Sequence, residues 1–367
     1  MARSELEAKV PQIENQWYDG WIKDNIPEGM LKGKVAVVTG SNSGTGFWCA
    51  SALAGQGGAT VVLACRSTDR AVHAKEEILA RYPGARLDVI PLDNSDLSSV
   101  KEFADAFLRK YETCDYLVNN AGIACVPYEL TKDEQEVQFQ TNHLGHFLLT
   151  KLLFTTMAYS PGQARIVNHS SGAHKLGSPY FDPARMEYPT HGAMGWMIRL
   201  AWWPVLSYYF GDYWAGLRYC VSKLCNVLFT RGLEKRINDA ELSERIIAVA
   251  CHPGFASTGL QARAEEAGNW TLSFNKYAQS AADGSLPLLM ACVGPDVENG
   301  DYLGPEKSST GPPTRDVVGG YGNDAQQAKD LWVYSETAVG PKFKFDISNP
   351  DLPRTADRAI DKLAEGL

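Results

Sequence analysis

Short apolar runs alternate with longer stretches of helical periodicity along most of the chain. Val35-Ala36-Val37-Val38-Thr39 is apolar and stopped by glycine, the mark of a strand buried on both faces. A helix-like stretch over 44–56 follows, then a second strand at Thr60-Val61-Val62-Leu63-Ala64-Cys65. The pattern predicts a helix over 69–81, a strand at 87–92, an amphipathic helix from Ser98 to Tyr111 and a strand at 116–118. A long helix is predicted over about 132–157. Strands at 165–168 and 246–251 flank another helix at 213–238, whose Leu217, Val221, Leu224, Val227 and Leu228 recur at helical spacing. Residues 300–304 predict a last edge strand. Such alternation predicts an α/β fold, a doubly wound parallel sheet with helices on both faces, in one large domain spanning 33–340. Residues 1–32 read as an appended arm whose Trp17, Tyr18 and Trp21 pack on the body. Residues 341–367 read as a loosely packed tail.

In this architecture ligands bind beyond the carboxyl ends of the strands, where the polar clusters of this chain fall. Thr39-Gly40-Ser41-Asn42-Ser43-Gly44-Thr45-Gly46 follows the first strand and opens a helix. Glycines there permit a tight turn and close approach to a pyrophosphate, and the helix N-terminus offers unpaired N–H groups. A dinucleotide is the expected ligand. The second strand ends at Arg66, where an acidic residue would favour NAD. Its guanidinium suits a 2′-phosphate instead and points to NADP(H). Asp93 and Asn94 follow the third strand and are placed to bind the adenine edge. Asn119-Asn120-Ala121-Gly122 puts amides and small residues where a ribose would pass.

Tyr219 and Lys223 lie four apart on one helix face, a candidate acid/base pair for a carbonyl or alcohol. The expectation is that a lysine ammonium beside the phenol lowers its pKa. Alone, that spacing is commoner on ordinary helix faces; its weight comes from the clusters upstream.

TGSNSGTG, NNAG, Asn142, Ser171, YCVSK (219–223) and HPG (252–254) stand in the order found in the short-chain dehydrogenase/reductase family. Over residues 33–258, and more weakly to about 340, the chain resembles that family. LACRS, TNHLGHFLLT, RIVNHSSGAH and AKDLWVYSETAVG look like its retinol-dehydrogenase-like and protochlorophyllide-reductase-like branch. The resemblance implies a Rossmann fold with Tyr219 as acid/base and Lys223 on the nicotinamide ribose. It implies that Ser171 orients the substrate oxygen and that Asn142 holds a relay water. Asn119 would support the central strand and cofactor, and Pro253, Gly254 and Thr258 would contact the carboxamide. Ser41, Ser43, Ala121 and Gly122 complete the expected cofactor lining. Thr45, in place of the family's usual apolar residue, and Asn94, in place of a common leucine, read as tuning.

Between Ser171 and Tyr219 lie 47 residues, 172–218, an unusually long interval for this branch. Four of the nine tryptophans fall between 196 and 214, and Arg199 and Pro204 interrupt a run too short to span a bilayer. A lid, a peripheral membrane contact through 195–214 and a subunit interface stay open, with a lid favoured. Trp202 and Trp203 are expected at the substrate entrance, and 259–280 as the substrate loop.

The net charge of −8 disfavours nucleic acid. The eight scattered cysteines show no metal-ligand spacing and predict reduced, buried thiols. His143 and His146 read as structural, so no metal is expected. The N-terminus lacks a signal-like apolar core, which predicts a cytosolic or cytosol-facing protein. The expected activity is NADPH-dependent carbonyl reduction, or its reverse, on a bulky lipophilic substrate: retinoid-, sterol-, polyketide- or fatty-aldehyde-like. Light-dependent C=C reduction and an idle NADP(H)-binding scaffold are the alternatives. The substrate, the direction and any homo-oligomer stay open.

Overall fold

The computed structural model describes residues 13–177, 213–260 and 278–345. Trp202, Trp203, most of the aromatic insertion, most of the expected substrate loop and the far end of the tail lie outside them.

Eight strands form one sheet in the order β3-β2-β1-β4-β5-β6-β7-β8. They are β1 (Val35–Thr39), β2 (Thr60–Cys65), β3 (Arg86–Pro91), β4 (Tyr116–Asn119), β5 (Ala164–His169), β6 (Ile246–Cys251), β7 (Tyr302–Pro305) and β8 (Pro313–Arg315). The first seven are parallel, and β8 runs antiparallel to β7. The predicted last strand is therefore not the edge. Pro313–Arg315 takes that place, and a three-residue strand containing proline carries almost no periodic signal. The strand order reverses between β1 and β4, which opens a crevice above their carboxyl ends.

The strand residues alternate between two apolar layers. Val37 and Val62 face one; Ala36, Val38 and Val61 face the other. The first layer is closed by α4 (Leu97–Lys110), α5 (Gly145–Ala158), α6 (Tyr213–Asp239) and α8 (Ala325–Val339). The second is closed by α1 (Tyr18–Asn25), α2 (Gly44–Ser51), α3 (Thr68–Arg81) and α7 (Leu286–Val293). Phe343 and Phe345 stack 4.5 Å apart and join Trp332, Phe147 and Phe154 in the first layer. The start of the tail, to Phe345, is thus packed rather than loose.

The long helix predicted from 132 begins later. The Glu136 carboxylate caps it by accepting from Phe139 N at 2.7 Å, while Thr131 N bonds Gln135 O in the preceding loop. The segment then passes through a π turn, Gln140–Leu144, before α5. The N-terminal arm is fixed by one buried carboxylate. Asp283 accepts from the backbone N–H of Gln16, Trp17 and Tyr18 at 2.8 to 2.9 Å, and Tyr18 donates to Trp48 O in α2. All eight cysteines are free, and only Cys125 is part-exposed. Among the described residues no helix is long and apolar enough to cross a membrane.

Candidate active site

The predicted clusters converge at the crevice. The helix α6 brings Tyr219, Ser222 and Lys223 to the end of β5, which carries His169, Ser170 and Ser171. Tyr219 is half-buried, with its hydroxyl in a hydrogen bond to Ser171. The Lys223 ammonium is buried, donates to His169 O at 3.0 Å and lies 5.9 Å from the centre of the Tyr219 ring. Burial brings its pKa down from 10.5 to about 8. A methyl added at Gly122 would meet Asn142 Oδ1 at 3.1 Å and Lys223 Nζ at 3.3 Å, so these three residues border one space.

One expectation is corrected here. Burial pushes the Tyr219 hydroxyl above its ordinary value, and Lys223 is not among the groups that move it; only the Ser171 hydrogen bond opposes the rise. The ammonium itself is directed at the end of β5, where it donates to His169 O. The Asn142 side chain fixes the backbone beside this space. It clasps the Ile123 backbone, donating to its O at 2.9 Å and accepting from its N at 2.8 Å, and donates to Ser222 Oγ at 2.8 Å.

The glycine loop holds the features a dinucleotide requires. Gly40 has φ +65, and a Cβ there would approach Ala121 Cα to 2.9 Å. A Cβ on Gly46 would fall 2.3 Å from Asn120 Nδ2. Ser43 caps α2 without a side-chain hydrogen bond, which leaves first-turn N–H groups directed at the crevice. Gly44 faces Thr258 at 3.5 Å, measured from an added Cβ, so the loop after β6 that carries Pro253 and Gly254 closes onto the glycine loop. Arg66 is exposed just past β2, with no ion pair or hydrogen bond among the described residues. Lys223 is a buried cation with three N–H groups and His169 O as its one acceptor among the described residues, so two donors remain for a ribose. The residues present fit a nicotinamide dinucleotide.

Some predicted cofactor residues turn elsewhere. Asn94 is buried and directed inward, its Nδ2 2.6 Å from His146 Nε2, so only its backbone is left to face an adenine. The Asp93 carboxylate accepts from Ser95 N and Ser95 Oγ. Asn119 ties β4 to its neighbours, donating to Asn168 Oδ1 at 2.9 Å and Thr150 Oγ1 at 3.1 Å. Ser41 Oγ contacts Cys65 Sγ at 3.4 Å under the loop.

The sequence reading missed the group that locks the loops together. Thr39 Oγ1 accepts from the N–H of Asn120 and Ala121 at 2.9 Å and donates to His146 Nε2 at 2.9 Å. His146 Nδ1 donates to Asn142 O at 3.0 Å; burial lowers its pKa to about 4 and keeps it neutral. Asn120 donates to Thr39 O and accepts from Thr45 Oγ1 and His169 Nδ1. One hydrogen-bonded unit thereby joins the glycine loop, the β4 loop and the turn bearing Asn142. Thr45 has a specific task in it that an apolar residue lacks.

The short chain dehydrogenase family matches residues 34–183. Human retinol dehydrogenase 12 is 31% identical over 337 residues, covering 91% of this chain and 94% of its own. Mouse retinol dehydrogenase 11 is 38% identical over 245 residues, 67% of each chain. Among solved structures, an uncharacterized protein from Mycobacterium paratuberculosis superposes with a TM-score of 0.64 at 32% identity, over 88% of this chain and 98% of its own.

Proposed function

The chain belongs to the short-chain dehydrogenase/reductase family, in its retinol dehydrogenase-like branch, and from that premise we propose an NADPH-dependent reductase of bulky lipophilic carbonyl compounds. The carrying observation is the Ser171–Tyr219 hydroxyl pair beside a buried Lys223 with donors to spare. The two hydroxyls converge on one oxygen, Ser171 orienting it and Tyr219 giving it a proton as negative charge develops. The protonated Tyr219 phenol is the proton donor in the direction of reduction. Lys223 holds the nicotinamide ribose and keeps positive charge near the reacting oxygen. Asn142 acts by fixing the Ile123 backbone and Ser222, which frame the same space. When bound, the cofactor supplies the hydride.

The unpaired guanidinium of Arg66, exposed just past β2, suits a 2′-phosphate and supports NADP(H) over NAD. Gly40, Ser41, Ser43, Gly44, Thr45 and Gly46 cradle the pyrophosphate, and Pro253, Gly254 and Thr258 the carboxamide. The substrate class rests on the retinol dehydrogenase relatives. NADPH consumption in the dark, on lipophilic aldehydes and ketones including retinal, tests the reading. Wild-type turnover that is lost in Tyr219→Phe is expected. An inactive wild type that still binds NADPH would contradict it.

A further inference from the structure

Ser171 begins a short 3-10 turn, Gly172–Leu176, and its hydroxyl accepts from Ala173 N at 3.2 Å. Such a turn is a weak support for a group that must be held to a fraction of an ångström, because few hydrogen bonds fix it. Here the support comes from His174, which is completely buried. Its Nδ1 lies 2.7 Å from Ser171 O, which also accepts from His174 N at 3.0 Å. The other ring nitrogen, Nε2, lies 3.3 Å from Gly319 N. A backbone N–H can only donate, so Nε2 is the acceptor and Nδ1 carries the proton. That tautomer alone satisfies both neighbours. Tyr302 of β7 brings its hydroxyl to 3.1 Å from Nδ1 and its ring to 5.2 Å, edge-on. Tyr302 is stacked in turn on His252, whose Nε2 donates to Asp316 at 2.8 Å. The imidazole thus bolts the serine's own peptide group to β7 and to the 316–320 loop.

We propose that His174 is a positioning residue for the reduction, fixing the Ser171 backbone so that its hydroxyl meets Tyr219 at the substrate oxygen. The proposal rests on the reading of Ser171 and Tyr219 as the pair that handles that oxygen. It makes the Nδ1–H bond to Ser171 O the functional contact and the Nε2 bond to Gly319 an anchor.

The two nitrogens can be separated by near-isosteric substitution. In His174→Asn the side-chain amide N–H occupies the place of Nδ1 and still donates to Ser171 O. In His174→Gln the amide reaches the place of Nε2, accepts from Gly319 N and leaves Ser171 O without its donor. Both variants, wild type and Tyr219→Phe are assayed with NADPH and retinal, alongside NADPH binding by fluorescence and a thermal melt. Misplacing a reacting group by about an ångström costs up to about 100-fold. His174→Gln is expected to lose about 10- to 100-fold in kcat with NADPH affinity within about twofold of wild type, and His174→Asn to retain most of kcat. Equal kcat in the two variants, or a larger loss in His174→Asn, would overturn the proposal, since a purely structural bolt is served better by glutamine. Retinal turnover by wild type that vanishes in Tyr219→Phe keeps the functional reading intact whatever the His174 variants do. An inactive wild type overturns both.

Discussion

Replacing Lys223 by methionine should stabilise the protein while disabling it. The ammonium is 4% exposed and donates to His169 O alone among the described residues. Burial lowers its pKa from 10.5 to about 8. At about 1.4 kcal/mol for each tenfold change in proton affinity, that drop corresponds to a destabilisation of about 3 kcal/mol. Methionine fills a similar volume without charge, and His169 O stays satisfied because Asn226 Nδ2 also donates to it, at 2.9 Å. The sign with pH follows from the depressed value. Below about pH 8 both folded and unfolded lysine are protonated, and the full penalty applies. As pH rises from about 8 toward 10.5 the folded protein releases its proton first and the penalty fades. Urea unfolding of wild type and Lys223→Met without cofactor should therefore show the variant ahead by up to about 3 kcal/mol at pH 7, and the gap closing by pH 10. Added NADPH should stabilise wild type more than the variant, because the two spare N–H groups meet the ribose. A variant less stable than wild type at pH 7, or a difference indifferent to pH, would show that the buried ammonium carries no such penalty.

Two further substitutions probe the cofactor half and the arm. Arg66→Glu should raise the NADPH KM about 100-fold by setting a carboxylate against the 2′-phosphate, with NADH kinetics little changed. The ratio of kcat/KM for the two cofactors reads this, and an unchanged ratio would remove Arg66 from the site. Asp283→Asn places an amide donor against a backbone donor, most directly Gln16 N, in a buried pocket. It should cost the docked arm about 2 to 3 kcal/mol. Hydrogen exchange of amides 16–26 should rise with little change in the central strands, and an arm that stays protected would show that the carboxylate is dispensable.

What the sequence revealed and what it hid divide by the range of the interaction. Strands such as Val35–Thr39 and Ile246–Cys251 are legible because burial on both faces demands an unbroken apolar run. The glycine loop is legible because its backbone needs particular residues in fixed order. The lock between Thr39, Asn120, His146 and His169 joins side chains from four separate elements, and no local period encodes it. Asp283 reaches Gln16 across 267 positions, and no local pattern marks it. Asn94 follows a strand and so reads as facing the cofactor, yet His146 draws its side chain inward. Tyr219 shows the same limit in electrostatics. Spacing places a cation on the same helix face as the phenol, while burial pushes the phenol's pKa up and the lysine's down.

If Tyr219 serves a carbonyl reduced by hydride from NADPH, an isotope on the cofactor must follow that hydride into the alcohol. NADPH deuterated at C4, on the face that reacts, is mixed with enzyme and retinal, and the alcohol is analysed by mass spectrometry. One deuterium on the carbinol carbon is predicted with wild type, and none formed at a comparable rate with Tyr219→Phe. Alcohol without label would rule out hydride transfer from NADPH, and labelled alcohol formed equally fast by the phenylalanine variant would remove Tyr219 from the reaction.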